Sequence, residues 1–171
     1  MIAAYAIIAL VALARLFELP YSARNTQRLL AQGAHETGRE HYPLLILLHM
    51  AWLATIALTL PKPTTIHWLF LGLYLALQIL RVWIIVSLGP WWTTKIITLP
   101  GAPLVQSGPY RYLRHPNYWV VVGEIAVLPL VFGEIAVAIV FSILNAGMIA
   151  WRIRAENAAL ADRRGEHIMQ R

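Results

Sequence analysis

The chain contains no cysteine, so a disulfide scaffold, a thiolate metal site and a cysteine nucleophile are all excluded. Charge is also scarce: only 13% of the residues are Asp, Glu, Lys or Arg, and only 8 are acidic. A soluble domain carries about 25% charged residues. No internal repeat is present, which argues against a duplicated transporter architecture, and no low-complexity stretch occurs. What is present is apolar: 59% of the 171 residues, with a mean hydropathy of +0.61. This excludes disorder, a coiled coil and an ordinary soluble globule, and leaves a single integral membrane domain over residues 1–171. The net charge of +6 would suggest nucleic acid in a soluble protein. Here the basic residues sit mostly between apolar runs, which fits a membrane topology signal and no nucleic-acid partner.

Five apolar runs, residues 1–19, 43–60, 66–88, 116–132 and 135–151, are near the length a bilayer requires. They predict an all-α bundle of five transmembrane helices. The first run lacks a basic start and a small-residue cleavage site, so it reads as a retained signal-anchor. The short turns around Lys62 and Gly133-Glu134 predict two antiparallel hairpins, and residues 21–42 read as a polar connection. Arg24, Arg28 and Arg39 lie in that connection. Lys95, Arg111 and Arg114 lie in the long segment 89–115, and Arg152, Arg154, Arg163, Arg164 and Arg171 follow the last run. Those eleven face Lys62 alone on the other side, which places the N-terminus outside and the long segment and tail in the cytoplasm.

Two segments carry chemistry. The first is Ser107-Gly108-Pro109-Tyr110-Arg111-Tyr112-Leu113-Arg114-His115-Pro116-Asn117-Tyr118. Gly108-Pro109 forces a turn, and Pro116 suits the first turn of a helix, whose free N–H groups favour an anion. Arg111, Arg114 and His115 add donors, and Tyr110 and Tyr118 offer flat faces for a ring or a cation. An interfacial anchor at the headgroup level accounts for the same composition. In the second segment Arg152 and Glu156 share a helix face at i, i+4, the spacing of an ordinary juxtamembrane ion pair. Arg154 and Asp162 fall off that face and read as solvated.

Together the run Gly108-Pro109-Tyr110-Arg111-Tyr112-x-Arg114-His115-Pro116-x-Tyr118 and the later Arg152-x-x-x-Glu156-x-x-x-Leu160 resemble the isoprenylcysteine carboxyl methyltransferase family. Arg24-Asn25, His41-Tyr42-Pro43 and His49 make the chain most similar to a small bacterial branch, associated with O-methylation of long-chain polyketide alkylpyrones. The resemblance implies a membrane enzyme, expected in the bacterial inner membrane, that uses S-adenosylmethionine and has its active site toward the cytoplasm. Residues 1–88 would then be three N-terminal helices and residues 89–171 the cofactor-binding part. Gly108, Tyr110, Arg111, His115, Pro116 and Tyr118 would line the cofactor pocket. Arg152 and Glu156 would be the catalytic pair beside a lipophilic or prenylated substrate. The chain departs from the family at Asn157, where a second Glu is usual, and at Ile168, where the tail motif has Tyr.

Methyl transfer from a sulfonium is an in-line displacement that depends on alignment. A carboxylate nucleophile is already ionised and requires only positioning, whereas a phenol or enol hydroxyl needs a base, a role open to His115 or Glu156. Within the runs, Glu124 and Asn145 lie mid-helix where they can meet, and Arg81 is a candidate partner for Glu124. Both residues, with His49, are candidate substrate contacts. Glu124 reads equally as functional or structural, Asn145 as interhelical glue and His49 as a satisfied core histidine. Arg15 and Glu18 read as a structural pair that snorkels. No histidine–carboxylate cluster has metal-ligand spacing, so no metal is expected. The seven Trp read as an aromatic belt. The other function classes compatible with the chain are phospholipid N-methylation and a small non-enzymatic membrane subunit.

Overall fold

The computed structural model describes residues 1–159. Helix α1 (Ile2–Ala31) runs 30 residues, roughly 45 Å at the helical rise. It continues straight through Pro20 and the stretch expected to be a polar connection. Pro20 removes one donor, yet the helix persists because its polar residues are docking groups. Ser22, Asn25, Thr26 and Leu29 are buried. Asn25 Nδ2 donates to the Gly89 and Trp92 carbonyls at 3.2 and 2.9 Å. Polarity here marks a face turned toward the segment after α3. A sequence reading that takes polarity for a loop therefore ends α1 twelve residues early.

A two-stranded antiparallel sheet follows, formed by β1 (His35–Thr37) and β2 (Ile96–Thr98), with Glu36 opposite Ile97. This small departure from an all-helical chain ties the α1–α2 connection to the long segment. Lys95 Nζ reaches Glu36 Oε2 at 2.9 Å and lies 5.5 Å from the Tyr42 ring centroid. Helix α2 (Tyr42–Thr59) follows a single 3₁₀ turn at Arg39–His41. Helix α3 (Trp68–Leu88) ends at Gly89. Helix α4 (Pro116–Val131) begins at the expected proline, and α5 (Ile135–Ala159) carries Arg152, Glu156 and Asn157 in its last turns. The tight α4–α5 turn is present and α4 packs between α3 and α5, whereas residues 60–67 join α2 to α3 without the expected hairpin packing, and α2 packs instead on α5 and α1.

Four of the helices are long and apolar enough to cross a bilayer; α4, at 16 residues, is shorter. The core is built from Ala4, Ile8 and Val11 of α1, Trp52 and Ile56 of α2, and Ile125, Leu128 and Val131 of α4. Large apolar side chains cover the outside, with Phe17 78% and Leu58 85% exposed, as expected of surfaces that face lipid. Trp52 and Trp92 are buried, so two of the seven Trp are core residues and not belt. Arg154 is exposed, as expected. Leu160, Asp162, Arg163, Arg164, Arg171 and the Gly165-Glu166-His167-Ile168 motif lie outside the described residues.

Candidate active site

All five helices contribute to one cavity of about 1260 Å³. Its outer end is built by the two chemistry-bearing segments. Pro116 starts α4, with His115 at the cap position. One turn on, the Tyr118 hydroxyl donates to Glu156 Oε2 at 2.6 Å. His115 stacks on Tyr118 with ring centroids 5.5 Å apart. Its Nε2 lies 3.3 Å from Asn157 Oδ1 and its Nδ1 3.5 Å from Glu156 Oε2. Asn157, the residue that departs from the family pattern, is thus part of this cluster.

Arg152 and Glu156 do not spend themselves on one another. Arg152 is buried, its guanidinium carbon lies 5.9 Å from the Tyr118 ring centroid, and Nη2 donates to the Thr94 carbonyl at 3.0 Å. Its Nε and Nη1 are buried without hydrogen-bond partners, two donors left over in the cavity wall. Thr94 is the residue that sequence reasoning missed. Its hydroxyl is 2.9 Å from both Ser22 Oγ and Tyr42 Oη, and its N–H donates to Ser22 Oγ at 2.8 Å. One threonine therefore joins α1, α2 and Arg152. The only sequence signal was a polar Thr93-Thr94-Lys95 run beside two tryptophans.

Tyr110 and Arg111 also line the cavity, and burial pushes the Tyr110 hydroxyl pKa well above its ordinary value, with the Glu156 carboxylate adding to the effect. Gly108 and Pro116 do not form its wall. Pro116 is fully buried, and a Cβ on Gly108 (φ +55°) would meet Ser87 Oγ at 2.1 Å, so this glycine sets the close approach of the turn Gly108–Arg111 to α3.

The inner end contains a buried polar network. Arg81 grips Glu18 with two hydrogen bonds, Nε to Oε1 at 2.7 Å and Nη2 to Oε2 at 2.6 Å, and Nη1 lies 3.5 Å from Glu124 Oε2. Arg81 is thus a partner of Glu124, as expected. Arg15 bonds Glu18, Gln78 and Glu124 together, so it turns inward and does not snorkel. Gln78 Nε2 donates to Glu124 Oε1 at 2.7 Å. Glu124 takes these partners and not Asn145, which is 1% exposed, lies outside the cavity wall and keeps an unpartnered Oδ1. His49 is half-buried and lines the cavity, so it is not a sequestered core residue; its Nδ1 is 2.9 Å from the Leu45 carbonyl. Among the described residues no group of three His, Asp or Glu can hold a metal.

Fold and site together define an integral membrane protein whose helices surround a cavity with aromatic, cationic and carboxylate groups at one end. Residues 69–162 match the isoprenylcysteine carboxyl methyltransferase family, and the chain belongs to this family of membrane methyltransferases. It is similar to an uncharacterized protein of Bacillus subtilis, YpbQ, at 38% identity over 91% of this chain and 95% of that one. It is also similar to an uncharacterized protein of Haemophilus influenzae, at 28% identity over 86% of this chain and 88% of that one. No solved structure matches.

Proposed function

We propose that the protein is an S-adenosylmethionine-dependent O-methyltransferase acting on a lipophilic substrate that enters from the bilayer. One observation carries the reading. Two segments 38 positions apart, at His115–Tyr118 and Arg152–Asn157, converge on a single cavity wall and leave two buried guanidinium donors without partners. An interfacial anchor requires neither the convergence nor the unpartnered donors.

The residues present fit that cofactor. The free Nε and Nη1 of Arg152 match a carboxylate, and the buried, unpartnered Oδ1 of Asn117 matches an amine or hydroxyl donor. Tyr110 and Tyr118 line the same wall. Bound there, the cofactor supplies an electrophilic methyl group on a positive sulfur. The chain's contribution is alignment and exclusion of water. Because positive charge is lost as the methyl leaves, an unshielded carboxylate beside the sulfur would hold back the reaction. The bond from the Tyr118 hydroxyl and the approach of His115 take up Glu156 Oε2, and so reduce that effect.

The eleven-to-one distribution of basic residues supports an N-terminus outside and a cavity mouth toward the cytoplasm, and the family resemblance supports a bacterial inner membrane. In that topology α4 is the fourth of five crossings, its roughly 24 Å extended by the turn at Gly133-Glu134. Calorimetric titration of S-adenosylmethionine and of its demethylated product into protein in mild detergent tests the reading. Saturable binding lost in Arg111→Ala, His115→Ala and Glu156→Gln is expected. No binding at millimolar cofactor, with or without a prenylcysteine analogue or an alkylpyrone, sinks it.

A further inference from the structure

We propose that Thr94 is a positioning residue for Arg152: Ser22 and Tyr42 hold it so that its carbonyl takes up one guanidinium nitrogen and leaves the others to bind the carboxylate at the amino-acid end of the cofactor; this rests on the methyltransferase reading above.

An arginine side chain turns about several bonds, and its planar fork recognises a carboxylate only when it faces the right way. Arg152 is 6% exposed, with Nη2 donating to the Thr94 carbonyl and Nε and Nη1 unpartnered. The Tyr118 ring supplies a second contact to the guanidinium. The direction of the unpartnered donors therefore follows from where the Thr94 carbonyl stands.

The backbone around that carbonyl is braced on both flanks. The Thr94 N–H donates to Ser22 Oγ, and the Thr94 hydroxyl lies 2.9 Å from Ser22 Oγ and 2.9 Å from Tyr42 Oη. That hydroxyl has one proton and two hydroxyl neighbours, so at least one neighbour donates to it. On the other flank the Thr93 hydroxyl donates to the Lys95 carbonyl at 2.7 Å and closes a turn around Thr94. Lys95 is itself tied to Glu36 of β1. Thr94 thus stands outside any regular element, ahead of β2 at Ile96, yet is held by side chains from two helices.

The two N-terminal partners lie outside residues 69–162, which match the family. Ser22 is buried in the part of α1 that continues past Pro20, and Asn25, three residues on, clamps the Gly89 and Trp92 carbonyls. Tyr42 opens α2 and lines the cavity beside Thr94 and Arg152. The extension of α1 therefore has a task at the site: it carries the group that orients an arginine of α5. Pre-set donors bind a carboxylate without first having to be ordered.

The test titrates full-length protein in mild detergent with S-adenosylhomocysteine and with its decarboxylated analogue, which lacks only the carboxylate. Thr94→Val keeps the shape and the backbone and removes the hydroxyl. It should weaken S-adenosylhomocysteine binding by ~10-fold and analogue binding by less than ~2-fold. Thr94→Ser should restore the wild-type affinity. With Arg152→Met in place, adding Thr94→Val should change S-adenosylhomocysteine binding no further, because Thr94 acts through the guanidinium. Equal losses on both ligands, a loss that Thr94→Ser does not restore, or losses that add in the double variant would overturn the proposal. If Thr94→Val fails to fold, Tyr42→Phe, which removes one of the two hydroxyl neighbours, must show the same bias against the carboxylate ligand, and an equal effect on both ligands overturns the proposal. Wild-type protein that binds both compounds equally well overturns the role of Thr94 and leaves the methyltransferase reading standing. Wild-type protein that binds neither overturns that reading itself.

Discussion

The Tyr118 hydroxyl lies 2.6 Å from Glu156 Oε2 and locks the first turn of α4 to the last turns of α5. Tyr118→Phe keeps the ring and its contact with Arg152 but frees the carboxylate. Stability should fall by about 1 kcal/mol, the ordinary value of one such bond at a partly exposed site. Cofactor affinity should fall further, by ~10-fold or more, because Glu156 then moves relative to Arg152. Thermal melts set beside calorimetric titrations check this. A melting loss with unchanged affinity would mean that the pair is only structural.

The four charges at the inner end make a double-substitution cycle informative. Glu124→Gln leaves Arg15 and Arg81 with Glu18 alone, and should cost about 3–5 kcal/mol, the usual cost of stripping one partner from a buried ionic group. Adding Arg15→Met should recover a large part of that loss, since it restores one cation to one anion. Denaturant or thermal unfolding in detergent reports both values. Simple additivity would mean that the network is not coupled.

Glu134 provides a pH signature away from the cavity. It sits in the α4–α5 turn, where burial pushes its carboxyl pKa above the ordinary range and the hydrogen bond from the Thr59 hydroxyl only partly offsets this. A carboxyl that holds its proton more tightly when folded contributes stability while protonated, and that contribution is lost as pH rises through the folded pKa. The melting temperature should therefore decline in the range just above the usual carboxylate titration, and Glu134→Gln should flatten the decline. An unchanged slope in the variant would assign the pH dependence to another group.

Much of the site was legible in the sequence because its parts obey local rules. A proline at a helix start, an i, i+4 pair and a two-residue turn placed His115, Tyr118, Arg152 and Glu156 at matched depth. The Arg81–Glu124 pair followed from the cost of a lone carboxylate inside a span. What failed was long-range. The stretch from Ser22 to Leu29 reads as a loop because it is polar, yet it is a helix face that bonds carbonyls more than sixty residues away. Arg15 and Glu18 look self-sufficient at i, i+3, and nothing near them in sequence tells of Glu124 and Arg81. Thr94 could not be singled out among the threonines, because its role exists only once α1, α2 and α5 have met.

The same four charges bear on how the chain enters the bilayer. Arg15 and Glu18 both belong to α1, while Arg81 and Glu124 belong to the successive helices α3 and α4. Each group to be inserted thus carries its own counterion and crosses the hydrocarbon electrically neutral. Two of the bridges, Arg15 to Glu18 and Arg81 to Glu124, lie within those groups. The other two, Arg15 to Glu124 and Arg81 to Glu18, run between them. Bundle closure therefore adds contacts and exchanges none: charges that travel inward as self-contained pairs keep their first partner and each gains a second.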